Sequence, residues 1–206
     1  MTDTRLLGLE PPPPADTLRD FLGAHTACPG LASGVLRLLA VDRTLRVLAE
    51  PWAAPEAGPV ELGVSRRTRR FSGNPLNRFK TFAYLENRLL AREAEEQGWF
   101  DALALNEHGQ LTDGGRTSVF LLLDGRLKTP PVAAGALPGV ARACLLAVGL
   151  ADEAPLDLAD LERAEAVLLT NSLRGGIPVR RIHASGEGPM DLDPCLLQKT
   201  AEALGR

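Results

Sequence analysis

Three loops in this chain carry side chains capable of covalent or acid–base chemistry, and each stands at a junction of apolar runs. The first is NRFKTFAYLENRLL (77–90), where Lys80 follows Phe79 just ahead of a helix-like stretch; the chain's other lysines are Lys128 and Lys199. A lysine ahead of a helix N-terminus, partly desolvated by Phe79 and Phe82, has its ammonium form disfavoured by both effects. An amine that must form a Schiff base needs that environment. The competing reading is a surface lysine whose stem snorkels along apolar neighbours, and position alone favours it.

The second loop is LTDGGRTS (111–118), where Asp113-Gly114-Gly115 interrupts two strand-like runs. In isolation Asp-Gly is turn chemistry. The third is LLTNSLRGGIPV (168–179), a strand opening into a polar loop in which Ser172 alone is only a loop serine. No GxSxG elbow accompanies it, so a hydrolase triad has no support. Between the second and third, ALPGVARACLL (136–146) starts a helix at Pro138-Gly139. Free N–H groups at Val140 and Ala141 form an anion site suited to phosphate. The basic cluster Arg66, Arg67, Arg69 and Arg70 has no interleaved aromatics and reads as a solvated strand end or loop.

Composition closes off several classes of function. A net charge of -3 over 206 residues leaves no electrostatic footprint for nucleic acid. Cys28, Cys144 and Cys195 are dispersed, as are His25, His108 and His183, so neither a disulfide framework nor a metal site is expected. MTDTRLLGLE lacks the basic-then-apolar order of a signal peptide. No apolar run approaches the roughly 20 residues of a membrane span. The expectation is a soluble, cytoplasmic protein.

The elements that must position the three loops follow from periodicity. EPPPPA (10–15) precedes a helix near 15–24, and GVLRLLAVDRTLRVLAEP (34–51) reads as a hairpin turning at Asp42-Arg43-Thr44. A strand at 60–65 comes next. Residues 82–97 read as a helix with an apolar stripe of Phe82, Leu85 and Leu89, widened by Leu90 and Ala94, with Glu86 and Glu93 inside that arc and Gly98 as C-cap. Strands at 101–106, 110–112 and 118–125 follow, then helices near 138–148 and 156–164. Strands at 166–170 and 177–182 and a closing helix from Pro194 complete the pattern. This alternation gives a mixed α/β or α+β protein, with a small part at about 1–72 and a larger one at 73–206.

Taken together and in order, KTFAYLENRLLAREAEEQG, DALALNEHGQLTDGGRTSVFLLLDGRLKTPP, GALPGVARACLL and TNSLRGGIPV resemble the fold-type IV pyridoxal-phosphate enzymes. That class includes branched-chain and D-amino-acid aminotransferases and 4-amino-4-deoxychorismate lyase, and the likeness spans about residues 60–183. It implies a D-amino-acid-aminotransferase-like two-part fold, pyridoxal 5'-phosphate as cofactor, a small amino substrate and a homodimer with its active site near the subunit interface. It assigns Lys80 as the Schiff-base lysine and proton shuttle, and Asp113 as the carboxylate that pairs with the pyridine nitrogen. Val140 and Ala141 become phosphate-binding amides, Ser172 a phosphate-contacting hydroxyl, and Tyr84 a ring-side residue.

The chain departs from the pattern at several points. Asp113 stands where the family has glutamate, Ala141 where it has threonine, and Ala83 and Ser118 where asparagines are common. The family's strand-rich opening segment, which supplies a phosphate-binding arginine, has no match ahead of Pro11, so the small domain is expected to be shortened. Three readings follow. The first is a lyase releasing pyruvate and 4-aminobenzoate from 4-amino-4-deoxychorismate, as in folate synthesis. The second is a class IV aminotransferase acting on branched-chain or D-amino acids. The third is a non-catalytic homologue that survives as a binding protein.

Overall fold

The computed structural model describes residues 14–25, 34–41, 44–53, 58–184, 189–193 and 195. It divides into two compact units, Met1–Glu56 and Ala57–Arg206. The turn at Asp42-Arg43 and the helix expected from Pro194 lie outside the described residues. The division falls earlier than the expected boundary after residue 72, because the strand beginning at Val60 is hydrogen-bonded into the sheet of the second unit.

In the first unit, helix α1 (Ala15–His25) precedes the antiparallel pair β1 (Gly34–Val41) and β2 (Thr44–Pro51). Register runs from Gly34 opposite Pro51 to Val41 opposite Thr44. That is the hairpin expected from two Val/Leu runs around a short polar turn.

The second unit is built on one nine-stranded sheet. Its strands are β3 (Val60–Arg70), β4 (Asp101–Asn106), β5 (Leu111–Gly114), β6 (Ser118–Leu123), β7 (Arg126–Thr129), β8 (Ala151–Glu153), β9 (Ala166–Asn171), β10 (Gly175–His183) and β11 (Met190–Asp191). They lie in the order β5-β4-β3-β10-β9-β6-β7-β8, with β11 beside β10. Helices α2 (Leu85–Gln97), α3 (Val140–Ala147) and α4 (Leu158–Glu162) connect them. This is the mixed α+β architecture that the sequence pattern implies, with few helices on a large mixed sheet. β3 and β4 are parallel, a pairing that needs a crossover, and α2 supplies it.

Strand β4 shows how residue choice sets the layers. In DALALN, Ala102 and Ala104 pack under Leu90 and Ala94 of α2, whereas Leu103 and Leu105 enter the main core with Leu62, Val119, Leu169 and Ile177. Alternation puts small residues beneath the helix and large ones in the core. Asp124 and Gly125 both take positive φ, 54° and 70°, as a two-residue type I′ hairpin between β6 and β7 requires.

Helix α2 differs from expectation in its start and its buried face. It begins at Leu85 with Tyr84 as N-cap, and its buried residues are Asn87, Leu90, Glu93 and Ala94. The expected core stripe points outward: Phe82, Leu85 and Leu89 are 70%, 73% and 56% exposed. Asn87 and Glu93 go inside because polar partners await them there. Ser65 Oγ donates to Glu93 Oε2 at 2.5 Å, and Asn87 Nδ2 donates to Gly115 O at 2.9 Å. A buried polar group with such partners costs little.

The arginine cluster is also not uniformly solvated. β3 runs on through it to Arg70, with a register shift between Val64 and Arg69. Arg66, Arg67 and Arg69 are exposed, whereas Thr68 and Arg70 are buried.

Candidate functional site

Lys80 lies between the 3-10 turn Pro75–Arg78 and α2. It is exposed, and its Nζ donates to Tyr84 Oη at 3.2 Å and sits 4.6 Å from the Tyr84 ring centroid. Of the two aromatics expected to desolvate it, Phe79 is buried and Phe82 is exposed. A later helix start also separates Lys80 from the first turn of α2. The partner that positions the amine is therefore Tyr84, a residue expected beside the ring.

Asp113 is buried at 4% exposure on β5, and Arg70, at 5%, reaches it from β3 with Nε 2.7 Å from Oδ1. Leu137 N donates to Asp113 Oδ2 at 2.9 Å. The Arg70 N–H is not aimed along the short contact, so both atoms lack a directional hydrogen bond while their charges balance. Burial pushes the Asp113 carboxyl above its ordinary value, and the Arg70 guanidinium opposes that rise.

The glycines after Asp113 serve close packing more than turn formation. A Cβ on Gly114 would lie 2.3 Å from Asp101 Oδ2, and one on Gly115 would lie 2.9 Å from Asn87 O. Asp101 is fully buried at the start of β4, and its carboxylate gathers the loop from below. It accepts from Gly115 N at 3.0 Å, Arg116 N at 3.1 Å and Thr117 Oγ1 at 2.7 Å.

Val140 and Ala141 open α3, whose N-cap Gly139 provides no side-chain bond. The first helical bond runs from Ala143 N to Gly139 O at 2.9 Å, leaving the earlier N–H groups without intrahelical acceptors. Arg142, buried on the same turn, donates to Pro130 O at 2.8 Å and pairs with Glu153, tying α3 to the sheet. Ser172 is exposed in the turn after β9, where Asn171 Oδ1 accepts from Leu173 N and Arg174 N.

A cleft of about 230 Å³ lies between these groups, and Thr81, Tyr84, Asn87, Arg70 and Leu137 are among its lining residues. Lys80 reaches it through Tyr84, and Asp113 through Arg70 and Leu137. Val140 and Ala141 follow Leu137 on the same segment. Ser172 stands on a separate loop, in bonding contact with none of the other site residues. Sequence reasoning missed Arg70, Asn87 and Asp101. Arg70 was legible only as a continuation of strand alternation past a bulge, and Asp101 only as the polar first residue of an otherwise apolar strand.

Comparison with known proteins identifies the family. The family model for amino-transferase class IV matches residues 2–182. The branched-chain-amino-acid aminotransferase of Escherichia coli K12 is 28% identical over 157 residues, covering 69% of this chain and 50% of that protein. The chain thus spans about half the length of such curated relatives. A Mesorhizobium loti structure assigned as an amino-acid aminotransferase is 33% identical, with a TM-score of 0.74 over 88% of this chain and 86% of that one. A Legionella pneumophila structure assigned as a 4-amino-4-deoxychorismate lyase is 24% identical, with a TM-score of 0.77 over 98% of this chain and 80% of that one, a likeness of fold alone. The family model spans most of the sequence, and the chain therefore belongs to the amino-transferase class IV family.

Proposed function

We propose that the chain binds pyridoxal 5'-phosphate and acts on the amino-bearing carbon of a small primary-amine substrate, with amino-group transfer as the first reading. The observation that carries it is the shared cleft. Tyr84, which accepts from Lys80 Nζ, lines it together with Arg70 and Leu137, the two partners of Asp113, while Lys80 and Asp113 stand just behind these lining residues.

The residues present fit the cofactor. Asp113, buried with Arg70 Nε 2.7 Å from its Oδ1, is the carboxylate that would pair with a ring N–H. The first turn of α3 presents unbonded amides suited to a phosphate. When bound, the cofactor supplies an electron sink for carbanion chemistry. This chain's part is to present an amine at Lys80, orient it through the Tyr84 hydroxyl, and keep a negative charge at Asp113. Lys80 Nζ is the group that attaches the cofactor and moves the proton on the substrate carbon. Asp113 is shorter than glutamate by one methylene, and its anchoring by Arg70 and Leu137 N–H fixes where its charge lies.

The lyase is the second reading, favoured by the TNSLRG loop. Amino-acid and 4-amino-4-deoxychorismate substrates separate the two. Keto acid formed only with an acceptor keto acid present supports transfer, and pyruvate released without an acceptor supports the lyase. Purified protein that stays colourless in excess pyridoxal phosphate would support the non-catalytic alternative and end both. We also propose a homodimer, for which the outward stripe Phe82, Leu85 and Leu89 offers an apolar surface that a second copy would cover. Sedimentation of the wild type against Leu85→Lys tests that contact.

A further inference from the structure

We infer that the Thr170 hydroxyl, seated with Ser118 beneath the start of α3, is a further ligand for a phosphate monoester at this site. The inference rests on the cofactor reading above and adds residues that the sequence pattern does not assign.

Thr170 is 3% exposed, and its Oγ1 has no hydrogen-bond partner among the described residues. β9 pairs antiparallel with β6, placing Thr170 directly opposite Ser118. Directly opposed residues project from the same face of a sheet. Ser118 marks what lies on that face, because a Cβ added to Gly139 would come 2.9 Å from Ser118 Oγ. Gly139 is the N-cap of α3, which packs against β9. The buried, unpartnered hydroxyl of Thr170 thus shares a face with the one helix start that the sequence marks for an anion. Neither has a hydrogen-bond partner among the described residues, and their needs match. The helix amides and the hydroxyl are all donors, and a dianionic phosphate supplies several acceptors.

The placement also accounts for Ala141. A threonine there would bring its hydroxyl from the helix; here the hydroxyls come from the sheet below. Arg142 is directed to the sheet through its Nη2, which Pro130 O and Glu153 hold.

Thr170→Val is close to isosteric and removes only the donor. Three readouts apply: absorbance titration with pyridoxal 5'-phosphate, the same titration with pyridoxal, and the Tm shift produced by inorganic phosphate. The variant should bind pyridoxal 5'-phosphate about tenfold more weakly or worse, bind pyridoxal unchanged, and lose most of the phosphate-induced shift. Its ligand-free Tm should equal or exceed the wild type's, because an unsatisfied buried hydroxyl has been removed. Thr170→Ser should retain phosphate selectivity. Ser118→Ala should show the same selective loss while leaving β9 intact, which keeps the test open if the valine variant fails to fold.

Equal pyridoxal 5'-phosphate affinity in wild type and Thr170→Val, or parallel losses for both aldehydes, overturns the inference. A wild type that phosphate does not stabilise overturns it as well. If the wild type binds neither aldehyde but phosphate stabilises it through Thr170, the cofactor reading fails and the anion seat stands.

Discussion

Arg70→Met removes the positive member of a buried pair and leaves the Asp113 charge without its counterion. The two side chains are 6% and 5% exposed and 2.7 Å apart. Breaking such a pair from one side costs about 3–5 kcal/mol, mostly from the stranded charge. For a unit of this size that corresponds to a fall in Tm on the order of 10 °C. The contact lacks a directional bond at Arg70 Nε and Asp113 Oδ1, so its contribution lies in charge balance more than in hydrogen bonding. Arg70→Met/Asp113→Asn should then recover at least half of the loss. Urea unfolding of the wild type, both single variants and the double variant gives the coupling energy directly.

The pH dependence carries a second signature of the same pair. Burial already raises the Asp113 pKa, and Arg70 restrains it. Removing Arg70 raises the folded-state value further, so the folded variant takes up a proton more readily than the unfolded chain. The penalty is therefore full at pH above the folded value and shrinks as pH falls toward the ordinary carboxylate range. Additive single-variant losses, or a penalty that grows on acidification, would mean that Arg70 does not balance the Asp113 charge.

Leu90→Ala empties the fully buried contact between α2 and Ala102 and Ala104, and should cost about 2–5 kcal/mol in denaturant unfolding. Asp101→Asn puts an amide among donors at Gly115, Arg116 and Thr117; it should lose about 1–3 kcal/mol and weaken cofactor binding by loosening the Asp113 loop. Hydrogen bonds from the Ser72 hydroxyl and N–H hold the Glu107 carboxyl down at about 2. That contact contributes fully above the ordinary glutamate range and is lost as pH falls through about 2, so acid unfolding of Ser72→Ala should begin at higher pH than in the wild type.

Much of the sheet was legible because its strands are short, apolar and punctuated by turns. The β6–β7 hairpin is written in Asp124-Gly125, and β4 in the alternation of Ala and Leu. The buried face of α2 was not legible. Helical periodicity finds an apolar stripe but cannot say whether a core or another surface covers it. The helix turns Asn87 and Glu93 inward because Gly115 O and Ser65 Oγ, distant in sequence, satisfy them. Arg70 was hidden for the same reason, since its partner Asp113 comes from another strand. The Lys80 segment, the Asp113 loop and the α3 start were recognisable only jointly, through the order of their motifs. Thr170 left no sequence signal, because an unpartnered hydroxyl is defined by its surroundings and not by its type.

Lys80 is the amine expected to attach the cofactor. Borohydride reduction of the protein after incubation with pyridoxal 5'-phosphate, followed by peptide mass analysis, reads that directly among Lys80, Lys128 and Lys199. The predicted result is a phosphopyridoxyl group on Lys80, absent from Lys80→Ala along with the visible absorption band. A label on Lys128 or Lys199 at equal yield, or a band that persists in Lys80→Ala, would contradict it.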